Sequence, residues 1–414
     1  MKRSHVYKIL PLIVLLIVSG CDQRVPLPSS TTTPQLATMT VTTEPSSTPP
    51  PTLTLTPTTI PVPTLSVEEL PEYNVLFERD SDWIGADAAY SIPLSDDRTL
   101  WLFGDTIIGD IHDGKRVNTK PFARNSIAIQ QGKDPTSASI EFFWGAPQNS
   151  NPTPFIVPDD GQGWFWFSHG ILTSGGLYLF LMQMDTDTAA GPGIFSFKHI
   201  GLTLAHVANP NDDPTEWRIT QHKIPWARIA PHNNLLFGAA LLQAEDFIYI
   251  YGFDEQPKDN GHESFMILAR APKDKLADFN QWQFYANGQW LSDWQQVTPL
   301  FPIGTEYSVS YQKMLEQYVV VYWDTACCFS KKALLRHAST PYGPWSEPLT
   351  LYTCPEMDWH PQNYCYAAKG HPELSYTADE LIITYVANSL DFGQLFSDAR
   401  LYWPRFLRIK FASP

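Results

Sequence analysis

The chain has 414 residues, of which 43% are hydrophobic, 13% aromatic and 17% charged. That much apolar material excludes disorder throughout. A formal charge of −15, from 28 Lys and Arg against 43 Asp and Glu, excludes nucleic-acid binding by phosphate neutralisation.

Lys2, Arg3 and Lys8 form a basic start, and an apolar run follows from Ile9 to Val18. That run is too short for a membrane-spanning helix, which needs ~20 residues, but it suits the core of a secretory signal. Val18-Ser19-Gly20-Cys21 resembles the bacterial lipobox. The resemblance implies cleavage after residue 20 and acylation of Cys21, so residues 1–20 are expected to be a lipoprotein signal peptide. The alternative is an ordinary signal with a chance cysteine. A lipid-anchored, extracytoplasmic place in the bacterial cell envelope follows, with the membrane as one partner.

Residues 21–66 are expected to form a disordered linker. Pro26–Ser66 contains 10 Pro and 19 Ser or Thr among 41 residues, with Glu44 its one charge. Such a segment buries too little apolar surface to offset its ordering entropy and favours an extended, polyproline-like tether.

Residues 67–414 are expected to fold as one all-β domain. Five pairs of short β-branched or aromatic runs, each closed by turn residues, lie at 86–106, 163–184, 235–253, 306–324 and 371–387. Counted from Asp87, Trp164, Asn234, Tyr307 and His371, the steps are 77, 70, 73 and 64 residues. Hairpins repeating at about 70 residues predict a five-bladed β-propeller. Weaker runs at 125–130, 265–271, 332–338 and 402–411 suit its outer strands. A pair of β-sandwiches is the alternative.

Four cysteines follow the linker: Cys327, Cys328, Cys354 and Cys365. Cys354–Cys365 closes a short loop and is the favoured disulfide. Cys327 and Cys328 are adjacent, which strains a bridge between them; one of them reaching the 354–365 loop is a further pairing. Zinc competes weakly, because no CxxC pair is present.

The first hairpin carries the sharpest chemical signal. Asp87 and Asp105 are equidistant from residue 96, the centre of its turn, so an unbroken ladder sets them opposite each other with Cβ atoms ~4.5–5.5 Å apart. Like charges facing on a sheet are destabilising unless a proton, a cation or a substrate uses them. Two coupled carboxylates can divide acid and base roles at a glycosidic bond. Turn-capping roles and a Ca²⁺ site in the central channel compete with that reading; otherwise no cofactor and no metal is expected. No GxSxG, HExxH, P-loop or dinucleotide glycine pattern occurs.

The segment WIGADAAYSIPLSDDRTLWLFGDTIIG (83–109), followed by Arg124-Asn125-Ser126, resembles the bacterial domain of unknown function 4185 family. Looser matches at 267–290, 337–348 and 371–388 extend the likeness over most of 80–411. The resemblance implies kinship with five-bladed propeller glycoside hydrolases, one branch of the family being an endo-acting D-arabinofuranosidase. It also implies Asp87 and Asp105 as the catalytic carboxylates. Glu306 is the expected third carboxylate, the general acid, with Glu373 its rival. Trp83, Arg124, Asn125, His169, Tyr307 and His371 are expected to contact substrate, and Trp164 and Trp166 to stack on sugar rings. The expected function is hydrolysis of a polysaccharide, an arabinofuranoside being the substrate the resemblance suggests, by a monomer. A non-catalytic glycan-binding or scaffold propeller is the alternative.

Overall fold

Ile, Val, Leu and aromatic residues dominate the short runs between Gly, Asp and Pro, and these runs pair as antiparallel strands. A computed structural model describes residues 63–412 except 192, 194, 260 and 325–329. The signal segment, Cys21, residues of the linker up to 62, Cys327 and Cys328 lie outside the described residues.

Five antiparallel sheets of four or five strands form the body. Their first strands are Tyr90–Ser95, Trp164–Thr173, Leu235–Ala244, Tyr307–Gln312 and Asn363–His371. In the second to fourth sheets the strands follow in chain order, and the first sheet does so apart from a small excursion. That excursion is a three-stranded sheet of Ser81–Ala86, Thr106–His112 and Lys115–Val117. The fifth sheet mixes chain ends: Thr64–Glu69 pairs with Pro404–Ala412, which is followed by Glu380–Ser389 and Asn363–His371. Only two short α-helices are described, Pro71–Phe77 and Gln394–Ser397.

First strands of consecutive sheets pack on one another. The first and fifth sheets meet through Ser91 Oγ with His371 Nδ1 at 2.6 Å and through Lys369 Nζ donating to the Ala88 carbonyl at 2.7 Å. Buried aromatic and aliphatic side chains fill the spaces between sheets, with Trp83, Trp101 and Trp282 among the largest. The pairing slips between Phe167 and Gly170, Phe237 and Ala240, and Tyr366 and Lys369. Such bulges bend first strands where the chain nears the site described below.

Three expectations need correction here. The structured chain includes Thr64–Ser66, ahead of the boundary placed at 67; this edge strand is largely exposed, so its polar composition reads as linker. The fifth pair does not begin at His371. Its first strand ends there, the 3-10 turn Pro372–Leu374 follows, and the second strand begins at Glu380. Pro372 has no N–H for a ladder, which stops the strand. Finally, the first hairpin keeps the predicted register, Tyr90 facing Leu102 and Ser91 facing Trp101, but its ladder ends there. Ala88 and Ala89 take φ of 67° and 53° and turn the chain away, so Asp87 and Asp105 are not a cross-strand pair.

Candidate active site

All five sheets, or the loops that leave them, line one cavity of about 870 Å³. Asp87, Asp105 and Glu306 all open onto it. Asp87 follows the strand Ser81–Ala86, and its carbonyl accepts from the N–H groups of Ala89 at 2.9 Å and Gly104 at 3.3 Å. A Cβ on Gly104 would collide with Asp87 Oδ1, so glycine lets this carboxylate lie against the neighbouring backbone. The two aspartates thus meet through a bend rather than a ladder.

The Tyr366 hydroxyl donates to Asp87 Oδ2 at 2.7 Å, and the Tyr402 hydroxyl also bonds to the Asp87 carboxyl group. Burial, then the negative charges of Glu306 and Asp105, push its pKa up to about 7; Tyr366 and Lys369 oppose the rise. Asp105 is better held. Trp166 Nε1 donates to Oδ1 at 2.9 Å and Arg124 Nη1 to Oδ2 at 2.9 Å. The Tyr402 hydroxyl donates to the Asp105 backbone carbonyl at 2.9 Å. Burial raises the Asp105 pKa, while Arg124 and Trp166 pull it back. The Arg124 guanidinium also lies over the Trp164 ring, 4.3 Å from its centroid, so Trp164 fixes the cation that holds Asp105.

Glu306 immediately precedes the strand Tyr307–Gln312, and its Oε1 is 3.0 Å from Lys369 Nζ. The Lys369 side chain is only 1% exposed. Its ammonium also donates to the carbonyls of Ala88 at 2.7 Å and Ala367 at 3.1 Å, and it sits 4.3 Å from the Tyr90 ring centroid. All three protons are therefore used, and one cation ties the elements carrying Asp87, Glu306 and Tyr366. Burial lowers the Lys369 pKa, and Glu306 and Asp87 oppose that. The sequence reading missed Lys369 and Tyr366.

Several expected substrate contacts are elsewhere. Trp83 is buried, donates to Ser126 Oγ at 3.1 Å and stacks on Phe142 with centroids 4.2 Å apart. Asn125 is buried, donates to the carbonyls of Ile156 and Phe165, and accepts from the Ile156 N–H, joining the first two sheets. Tyr307 is buried, with its hydroxyl donating to the Gly252 carbonyl at 2.7 Å. His169 accepts at Nδ1 from the Leu241 N–H at 2.9 Å and faces the Ser91 carbonyl with Nε2 at 3.2 Å. Burial pushes its pKa down to about 4, so it is neutral at pH 7. His371 is buried between Ser91 Oγ and Thr384 Oγ1, 2.6 and 2.7 Å away, and its pKa is depressed by burial. These five residues serve packing and sheet-to-sheet bonding, and none lines the cavity. Glu373, the rival third carboxylate, accepts from Ser91 and is likewise outside the lining.

Cys354 and Cys365 form a disulfide, and Cys365 lies on the cavity wall between Tyr364 and Tyr366. Among the described residues, the one grouping of three metal-type ligands within 4.8 Å is Cys354, Glu356 and Cys365, whose two sulfurs are already joined.

The model of the family described as Domain of unknown function (DUF5005) matches residues 71–411. No curated protein sequence matches the chain. Among solved structures, a candidate hydrolase from Bacteroides ovatus ATCC 8483 is similar with TM-score 0.65 and 21% identity, over 83% of this chain and 90% of that one. The catalytic domain of the Coprinopsis cinerea GH62 alpha-L-arabinofuranosidase gives TM-score 0.47 and 10% identity, over 82% and 96%. A thermostable family-43 glycoside hydrolase gives TM-score 0.45 and 14% identity, over 82% and 96%. At these identities the likeness is one of fold, and the Bacteroides ovatus structure carries it. The family comparison returns DUF5005 where the sequence motifs suggested the domain of unknown function 4185 family. With its match spanning residues 71–411, the chain belongs to the family described as Domain of unknown function (DUF5005).

Proposed function

We propose that the protein is an extracytoplasmic glycoside hydrolase that cuts a polysaccharide with Asp87 and Asp105. In this reading a lipid on Cys21 holds it at a bacterial membrane, and residues 67–414 with their preceding strand form a five-bladed β-propeller. Five antiparallel sheets with neighbouring first strands, the last completed by the N-terminal strand, support that architecture. The protein works as a monomer and needs no cofactor.

The observation that carries the proposal is the unequal treatment of two aspartates in one cavity. Asp87 is pushed up to about 7 and is bonded by neutral phenol hydroxyls rather than by a cation, so a large fraction keeps its proton at neutral pH. Asp105 has a cation and an indole N–H on its two oxygens, which favours its ionised form relative to Asp87. Two carboxyl groups in different protonation states are what cleavage of a glycosidic bond requires. Asp87 passes its proton to the glycosidic oxygen as the C–O bond breaks. In the same displacement Asp105 either bonds to the anomeric carbon, forming an ester that a water deprotonated by the Asp87 carboxylate afterwards hydrolyses, or takes a proton from the water that attacks that carbon. Glu306, expected from the sequence as the acid, is instead paired with Lys369 and contributes the negative charge that keeps Asp87 protonated. The acid role accordingly moves to Asp87.

The test is reducing-end release from a panel of polysaccharides, arabinans included, by wild type, Asp87→Asn and Asp105→Asn. Each variant is expected to lose about 10²–10⁴-fold in kcat on the glycan that wild type cleaves. Equal cleavage by both variants would contradict the assignment. Binding without cleavage by wild type would favour a glycan-binding propeller.

A further inference from the structure

The cavity also carries polar side chains from the second and third sheets, other than those that lead to the two aspartates. His199 comes from the strand Phe197–Val207 of the second sheet. Glu255 comes from Phe247–Lys258, and His262 from Gly261–Pro272, both of the third sheet. Asn234 Nδ2 donates to Glu255 Oε2 at 2.6 Å, which fixes a side chain only 9% exposed. The other oxygen, Oε1, is 3.8 Å from His262 Nε2, and the His262 ring stacks on His232 with centroids 5.6 Å apart. His199 Nδ1 is buried without a hydrogen-bond partner among the described residues. Asn234 thus holds one carboxylate oxygen while the other faces His262, with His199 lining the same cavity.

Charge narrows what this cavity accepts. Asp87, Asp105, Glu255, Glu263, Glu306 and Asp324 line it, and among the described residues no Lys or Arg does. Arg124 and Lys369, which reach the carboxylates Asp105 and Glu306 of this lining, are paired with them. An anionic ligand would bring like charge into a partly desolvated site with no cation to pair it. A neutral sugar brings hydroxyl donors that match carboxylate acceptors, and aromatic side chains such as Trp166 and Phe197 line the cavity beside them.

We infer that the site takes neutral glycans, chains without uronate, sulfate or phosphate groups, and that His199 and Glu255 form a subsite reading sugar hydroxyls away from the reacting bond. The inference rests on the glycan reading of the cavity proposed above. Its test is calorimetric titration of the full-length protein carrying Asp105→Asn, which stops turnover, with arabino-, xylo- and galacto-hexaoses and with hexagalacturonate. At least one neutral hexaose is expected to bind, and hexagalacturonate to bind at least about tenfold more weakly. Adding Glu255→Gln or His199→Ala is expected to weaken the neutral ligand by about tenfold each. Melting temperatures should stay near that of the parent, since Gln keeps the shape and the Asn234 contact. Hexagalacturonate binding as tightly as the best neutral hexaose, or affinity unmoved by both added variants, would overturn the inference. Failure of the parent to bind any hexaose would instead overturn the glycan reading beneath it.

Discussion

Asp87 sits where the backbone bends through Ala88 and Ala89, both at positive φ, and Ala367 on the fifth sheet adopts a φ of 60°. Alanine in that region costs roughly 1 kcal/mol or more per residue. Lys369 binds the carbonyls of Ala88 and Ala367, so its ammonium holds two of these bends while pairing with Glu306. Lys369→Met is therefore expected to destabilise the fold by roughly 3 kcal/mol, because it frees two carbonyls and leaves Glu306 unpaired; thermal melting checks this. Asp87→Asn should act in the opposite sense. The folded pKa of Asp87 lies above its unfolded value, so the stability tied to its protonated form is present below pH 4 and lost as pH rises through about 7. The variant is expected to melt at nearly the wild-type temperature at pH 4 and a few degrees above it at pH 8. Arg124→Ala removes a donor from Asp105 and is expected to lower kcat by about tenfold or more, which steady-state kinetics on the cleaved glycan would read. The aspartates stood out in the sequence because they bracket a hairpin, and Glu306 because it opens another. Lys369 did not, since a lysine in a strand ordinarily reads as solvent-facing. His169, His371, Asn125, Tyr307 and Trp83 drew notice for polarity or size near first strands. Which of them spend their hydrogen bonds inside the protein depends on partners up to 280 residues away, as with Ser91 and His371, and no local pattern carries that.

At the scale of elements, hairpins with alternating β-branched and aromatic residues were legible, and four of the five pairs fall where the pattern puts them. The fifth was displaced because NYCYAAKGH mixes lysine, glycine and small residues and hides a largely buried first strand. The same bulges that kink first strands cannot be read from periodicity, since a slip changes which face a residue joins without changing composition. Equal spacing about residue 96 gave the right register and the wrong relation between Asp87 and Asp105 because the positive-φ bend at Ala88 and Ala89 ends the ladder at Tyr90, and alanine gives no sign of such a bend. The strand Thr64–Glu69 was hidden by polarity, yet it pairs along Pro404–Ala412 and adds contacts from Glu68 to Arg408 and from Glu69 to Tyr352. A chain starting at residue 70 is expected to melt several degrees lower, as measured by circular dichroism, because the edge of the fifth sheet loses its partner strand.

Taken whole, the molecule carries excess negative charge, and the cavity concentrates six carboxyl side chains with no lysine or arginine on its wall among the described residues. Burial, then the charges of Glu306 and Asp105, raises the proton affinity of Asp87, and in the proposed reaction the same carboxylates would favour positive charge developing on a sugar ring. In the proposed reaction protonated Asp87 acts as the acid while Asp105 acts as the base or nucleophile. The most direct measurement is kcat/KM against pH, from pH 4 to 9, for wild type on the glycan it cleaves. The rate should fall tenfold per pH unit above about 7, as Asp87 loses its proton. A rate that stays level from pH 7 to 9 would contradict the account.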